Sequence, residues 1–231
     1  MIWLGIDTAN TPLSVAIVKD GKIITEENTS APINHSLRAM PAIEEAFERA
    51  KLTPADIDAI AVAEGPGSYT GVRIGVTIAK TLAWTLNKPL IGVSSLKALA
   101  TNGLFFDGFI CPLIDARRNH VYAGLYTSKG NVVQEEIKDQ HIQVNDLLVT
   151  LQKFEQPILF IGTDVALYEE AIRETLGGHA MIAPVQFNLP RASSLIYSAE
   201  LMQEENVHHF VPEYRRIAEA EANWLKAQKD D

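Results

Sequence analysis

Short apolar runs separated by polar turns recur in the same order twice along the chain, over residues 4–27 and again over residues 113–136. Each copy opens on a strand ending in Ile-Asp, at Asp7 and Asp115, and turns into a second strand at 14–18 or 121–126. Each then passes a glycine turn, 19–22 or 128–131, into a third strand that ends in glutamate. Such turns between short apolar strands read as hairpin connections. Any two β-meanders share some of this, but a common order over this length favours a duplicated unit.

Past the first meander the period changes from two to 3.6. Leu37, Met40, Ile43, Phe47 and Ala50 fall at helical spacing, with Glu44, Glu45, Glu48 and Arg49 elsewhere on the surface, which predicts an amphipathic helix over 34–51. Pro41 in its opening turns predicts a kink or a late start. A buried strand follows at 57–63, a helix at 70–86, a strand at 90–93, and a helix at 96–100 that Ser94 or Ser95 can cap. The second half repeats this more loosely, with a helix near 145–153, a strand at 158–161, and a helix near 165–176 closed by Gly177 and Gly178. An apolar piece at 181–185 and a helix at 192–205 complete it. The order βββαβαβα, written twice, predicts an α/β protein of two similar layered halves, 1–104 and 105–212, with a C-terminal helix over 213–231 packing back on the first.

The helix at 70–86 is apolar nearly all round, since only Arg73, Lys80 and three threonines interrupt it, so it should be covered on two sides. Gly71, Gly75, Ala79 and Ala83 form an i, i+4 row of small residues, along which another helix axis could approach closely. Glycines inside a helix cost roughly 1 kcal/mol each relative to alanine, so packing must compensate them. Two readings follow: the helix is sandwiched within its own half, or it and the first helix leave an apolar patch for a partner.

Composition narrows the function. Apolar residues at 47% and charged residues at 21% of 231 positions describe a folded globular chain. Twenty basic against twenty-nine acidic residues give 20 − 29 = −9, which argues against a broad basic face for nucleic acid. The single Cys111 lies in an apolar run and has no internal disulfide partner, and no apolar run approaches the length of a membrane span, so a cytoplasmic protein is expected.

Candidate chemistry is sparse. The loop Gly65-Pro66-Gly67-Ser68-Tyr69-Thr70-Gly71-Val72-Arg73 stands between strand and helix, where backbone N–H groups can hold phosphate. It lacks the third glycine of the dinucleotide fingerprint and the Lys-Ser/Thr of the Walker loop, and a tight turn with Thr70 as N-cap is the simpler reading. The six histidines form no i, i+4 pair, because Ala39 stands four residues after His35, and no Gly-x-Ser-x-Gly elbow occurs. No metal and no cofactor is expected.

The stretch Glu64-Gly65-Pro66-Gly67-Ser68-Tyr69-Thr70-Gly71-Val72-Arg73-Ile74-Gly75 resembles the signature of the TsaB (YeaZ) family. Leu4-Gly5-Ile6-Asp7-Thr8-Ala9, His35-Ser36-Leu37, Ile114-Asp115-Ala116-Arg117 and Pro212-Glu213-Tyr214-Arg215-Arg216 agree with it, in the right order along nearly the whole chain. The resemblance implies two duplicated halves of actin-like or sugar-kinase-like ATPase fold with a degenerate nucleotide site. It implies a non-catalytic subunit that binds and activates TsaD, which transfers the threonylcarbamoyl group to N6 of an adenosine in tRNAs reading codons that begin with adenine. TsaE, an ATPase, joins that assembly, tRNA is met only indirectly, and a homodimer through the same surface is possible when TsaD is absent.

Side chains in place of glycines after Asp7 and Asp115, with Arg117 and Arg118 adding bulk, agree with a degenerate site, as does a histidine pair reduced to His35. By resemblance the first two helices meet TsaD, and the candidate contacts are Met40, Ile43, Phe47, Gly71, Gly75, Ile78, Ala79 and Leu82. The rival is an active small-molecule kinase or ATPase of the same fold, with Asp7 or Asp115 holding magnesium; a peptidase has little support.

Overall fold

The computed structural model describes residues 1–30 and 34–213. In its first half, β1 (Ile2–Asp7), β2 (Leu13–Lys19) and β3 (Lys22–Thr29) form an antiparallel meander. β4 (Ala59–Gly65) and β5 (Leu90–Ser94) extend it in parallel on the far side of β1, giving the order β3-β2-β1-β4-β5. The second half repeats the plan with β6 (Phe109–Asp115), β7 (His120–Lys129), β8 (Val132–Gln143), β9 (Ile158–Ile161) and β10 (Ala180–Ile182), in the order β8-β7-β6-β9-β10. Helices α1 (His35–Ala50), α2 (Tyr69–Leu86) and α3 (Ser95–Ala100) follow β3, β4 and β5. In the same way α4 (Val144–Leu151), α5 (Glu169–Leu176) and α6 (Ala192–Ala199) follow β8, β9 and β10, so βββαβαβα is met twice. β1 and β4 are buried on both faces and therefore read as near-continuous apolar runs, whereas the edge strand β3 is mostly polar and has no buried residue.

Local chemistry corrects several expected boundaries. α1 starts at His35 and runs through Pro41 without a break, because the Asn34 side chain caps it by accepting from the Ser36 N–H at 3.1 Å. Ser68, not Thr70, caps α2, its hydroxyl accepting from the Gly71 N–H at 3.3 Å. The helix expected at 165–176 splits into a 3-10 turn, Val165–Leu167, and α5, and the last helix stops at Ala199.

A cut at residue 104 separates the two sheets but not their packing. Leu96, Leu99 and Ala100 of α3 share a core with Ile110, Ile114 and Tyr126 of the second sheet. Conversely, Ala192, Leu195, Ile196 and Ala199 of α6 join the core of the first sheet. Gly5 permits that approach, since a Cβ there would lie 2.9 Å from Ile196 Cγ1. Glu26 anchors the arriving chain, accepting from the Arg191 guanidinium and from the Ser193 N–H and hydroxyl at 2.9 and 2.6 Å.

A strap over 205–213 then covers the edge strand β5. Glu205 N–H donates to Leu90 C=O at 2.8 Å, Phe210 wedges against Gly92, and Lys80 Nζ donates to Phe210 C=O at 2.6 Å. Covering an edge in this way blocks strand addition there. The helix expected at 213–231 lies, apart from Glu213, outside the described residues.

Candidate functional site: an apolar helical face beside a filled cleft

The small-residue row of α2 faces inward. Gly71 C=O accepts from Thr8 Oγ1 at 2.7 Å, and a Cβ on Gly75 would stand 2.5 Å from the same oxygen. Ala79 and Ala83 are buried as well. The close approach that this row permits is therefore to the end of β1 in its own half, and Gly71, Gly75 and Ala79 are not open to a partner. Ile43 and Phe47 are likewise core residues, 2% and 6% exposed. Gly75→Leu should consequently cost the fold about 1–3 kcal/mol or more through overpacking, read as a lowered urea midpoint of the isolated chain.

The neighbouring row carries the open apolar surface. Ile74, Ile78, Leu82 and Leu86, again at i, i+4 spacing, are only partly buried along α2. α1 packs beside α2 and presents Leu37, 69% exposed, and Met40, 48% exposed. Of the candidate contacts, Met40, Ile78 and Leu82 thus lie at the surface. α2 carries no acidic residue in a chain of net charge −9, and its first turn stacks Arg73 over the Tyr69 ring at 3.9 Å. An apolar ridge cleared of carboxylates can be desolvated against a protein without stranding a charge.

The cleft between the halves is filled from within. Ser68 N–H donates to Ala9 C=O at 2.7 Å, so the glycine loop rests on the turn after Asp7. His35 Nε2 holds the same turn through Asn10 C=O at 2.7 Å. Asp7 is buried, accepts from the Ala9 N–H at 2.9 Å through Oδ1, and has no hydrogen-bond partner at Oδ2; burial pushes its pKa up to about 6.

Across the cleft, Asp115 Oδ1 accepts from the Arg117 N–H at 3.0 Å and the Tyr168 hydroxyl at 2.6 Å. Burial first, then Asp115, raises the Tyr168 phenol and keeps it a donor. Arg117 and Arg118 adopt left-handed backbone, φ 66° and 55°, and their side chains are exposed. The turn is closed by Asp115's own hydrogen bonds, not by arginine bulk as expected. A pocket beside these turns, lined by Asn10, Pro12, Ser95, Leu99, Asp164 and Asn188, holds about 10 Å³, the room of about one water. Sites for nucleotide-sized ligands span about 300–1,000 Å³.

Sequence reasoning missed Tyr168, Asp164 and Asn188 because single polar residues in loops carry no periodic signal. Among the described residues no three His, Cys, Asp or Glu side chains converge on one point, and no helix is long and apolar enough to cross a membrane.

Comparison with known proteins agrees with this architecture. Residues 24–224 match the family model for TsaD, tRNA N6-adenosine threonylcarbamoyltransferase. The chain is 44% identical to the tRNA threonylcarbamoyladenosine biosynthesis protein TsaB of Bacillus subtilis (strain 168), over 99% of this chain and 100% of that protein. Among solved structures, a Pseudomonas aeruginosa protein described as similar to peptidase YEAZ superposes with a TM-score of 0.81 at 25% identity, covering 93% of this chain and 99% of that one. The ROK hexokinase of Thermus thermophilus superposes with a TM-score of 0.50 at 12% identity, over 87% of this chain and 98% of the hexokinase. The fold is that of the actin-like ATPases and sugar kinases.

Proposed function

Because this chain belongs to the TsaB (YeaZ) family of tRNA threonylcarbamoyladenosine biosynthesis proteins, we propose that it is a non-catalytic cytoplasmic subunit that binds and activates TsaD. The observation that carries the reading is the open apolar face of α1 and α2, with Met40 on one helix and Ile78 and Leu82 on the other. A match of 24–224 to the transferase's own family model means that the two proteins share a body plan, so equivalent helices can pair face to face. TsaE joins the pair, tRNA is reached through TsaD, and the same face can close a homodimer when TsaD is absent. The packed turns support a structural role: one oxygen of each carboxylate that a kinase of this fold would turn toward magnesium is engaged in holding its own turn.

Mixing the purified chain with TsaD should give a 1:1 species by sedimentation at micromolar concentration; two unshifted boundaries would overturn the proposal. Titrating the isolated chain with Mg-ATP by calorimetry should give no saturable heat up to millimolar nucleotide. Saturable binding with turnover would instead identify an active kinase or ATPase.

A further inference from the structure

One buried carboxylate joins the two halves and takes no part in either the apolar face or the cleft turns. Asp139 lies on β8 of the second sheet and is 4% exposed. It accepts from the hydroxyl of Tyr126 on the neighbouring β7 and, through its other oxygen, from the hydroxyl of Ser94. Ser94 belongs to the first sheet and is also the N-cap of α3, accepting from the Lys97 N–H at 3.1 Å. Its proton goes to the second half while its lone pair anchors the helix that packs between the sheets.

The surrounding backbone is shaped to place this carboxylate. The β7–β8 ladder slips between Ala123 and Leu125 and again between Leu125 and Tyr126, where an inserted residue re-aims the side chains that follow. Gly124 leaves the space required, since a Cβ there would stand 2.5 Å from Asp139 Oδ1. Burial and the carboxylate together raise the Tyr126 phenol, so it remains a donor throughout the physiological range.

Two-lobed ATPases and kinases work by hinging their lobes around a ligand. We infer that Asp139, through Ser94 and Tyr126, is an interlobe pin that holds the two halves of this chain at one fixed angle. The body that presents the α1–α2 face is then rigid, and its lobes do not open and close.

Hydrogen exchange on the full-length chain tests the pin and needs no partner, so its outcome is independent of TsaD pairing. In Asp139→Ala, amide exchange over α3, Lys97 included, should accelerate about tenfold or more, while amides of α1, β1 and β4 stay within about twofold. Ser94→Ala should accelerate α3 at least as far, since it removes the cap on the Lys97 N–H as well as the bond to Asp139, and the double variant should go little further than Ser94→Ala alone, because the Ser94–Asp139 bond is lost in both. Unchanged α3 protection in a folded Asp139→Ala chain would overturn the inference. So would acceleration spread evenly over both sheets, or fully additive effects in the double variant. If Asp139→Ala does not fold, Asp139→Asn decides by the same reading, since it keeps the shape and loses one acceptor.

Discussion

Met40→Glu and Ile78→Glu are each expected to weaken pairing with TsaD about a hundredfold while leaving the chain folded. A carboxylate driven into an apolar seam must either shed its water without a partner or hold the surfaces apart, which costs about 3 kcal/mol. Every 1.4 kcal/mol is a factor of about ten in affinity. Met40 is half-exposed in the isolated chain, and a glutamate there can stay in water until a partner arrives. Ile78 is only partly buried, so a longer side chain can lift its charge out along the helix surface.

Leu167→Glu is the control, because Leu167 is 70% exposed but lies in the second half, away from α1 and α2. Titration of TsaD with each variant should separate the first two from the third. Parental affinity for both Met40→Glu and Ile78→Glu would show that the working surface lies elsewhere. Any homodimer should dissolve with the same two substitutions.

The eight candidate contacts divide along a line that sequence alone could not draw. On α2, the row through Gly71, Gly75 and Ala79 and the row through Ile74, Ile78 and Leu82 lie side by side, and both are apolar or small. Which of them faces out depends on where the end of β1 passes, and that is set by the sheet, not by the helix. Small residues signal close approach without saying to what, and here it is to Thr8. The architecture was easier to read, because the strand–helix order depends on periodicity that each segment carries by itself. The exchange of α3 and α6 between the halves was not legible, since Leu195 and Ile196 would look the same against either sheet. Asp139 was invisible for a related reason: in β8 it stands between Lys138 and Gln140 as one more polar residue, and the slip in the ladder beside it has no signature in the sequence.

Asp7→Asn is expected to make the chain relatively more stable as pH rises, by an amount that can be read from the parent's own carboxyl. With its pKa raised from an ordinary 3.8 to about 6, the native state holds a proton that the unfolded chain has already lost between those values. The resulting stabilisation is complete below about pH 3.8 and disappears as pH rises through about 6. Across that window the parent loses about 3 kcal/mol, because each pH unit between the two values is worth about 1.4 kcal/mol. Asparagine carries no charge at either end, so the gap between variant and parent should widen by the same amount from pH 4 to pH 8. For a chain of 231 residues this is about 6–12 °C in Tm. At pH 4 the variant should be no better than the parent, because its amide N–H₂ meets the same partnerless site that Oδ2 occupies. Thermal melts of both proteins at the two pH values decide it, and parallel pH profiles would mean that a partner for the charged carboxylate exists in solution.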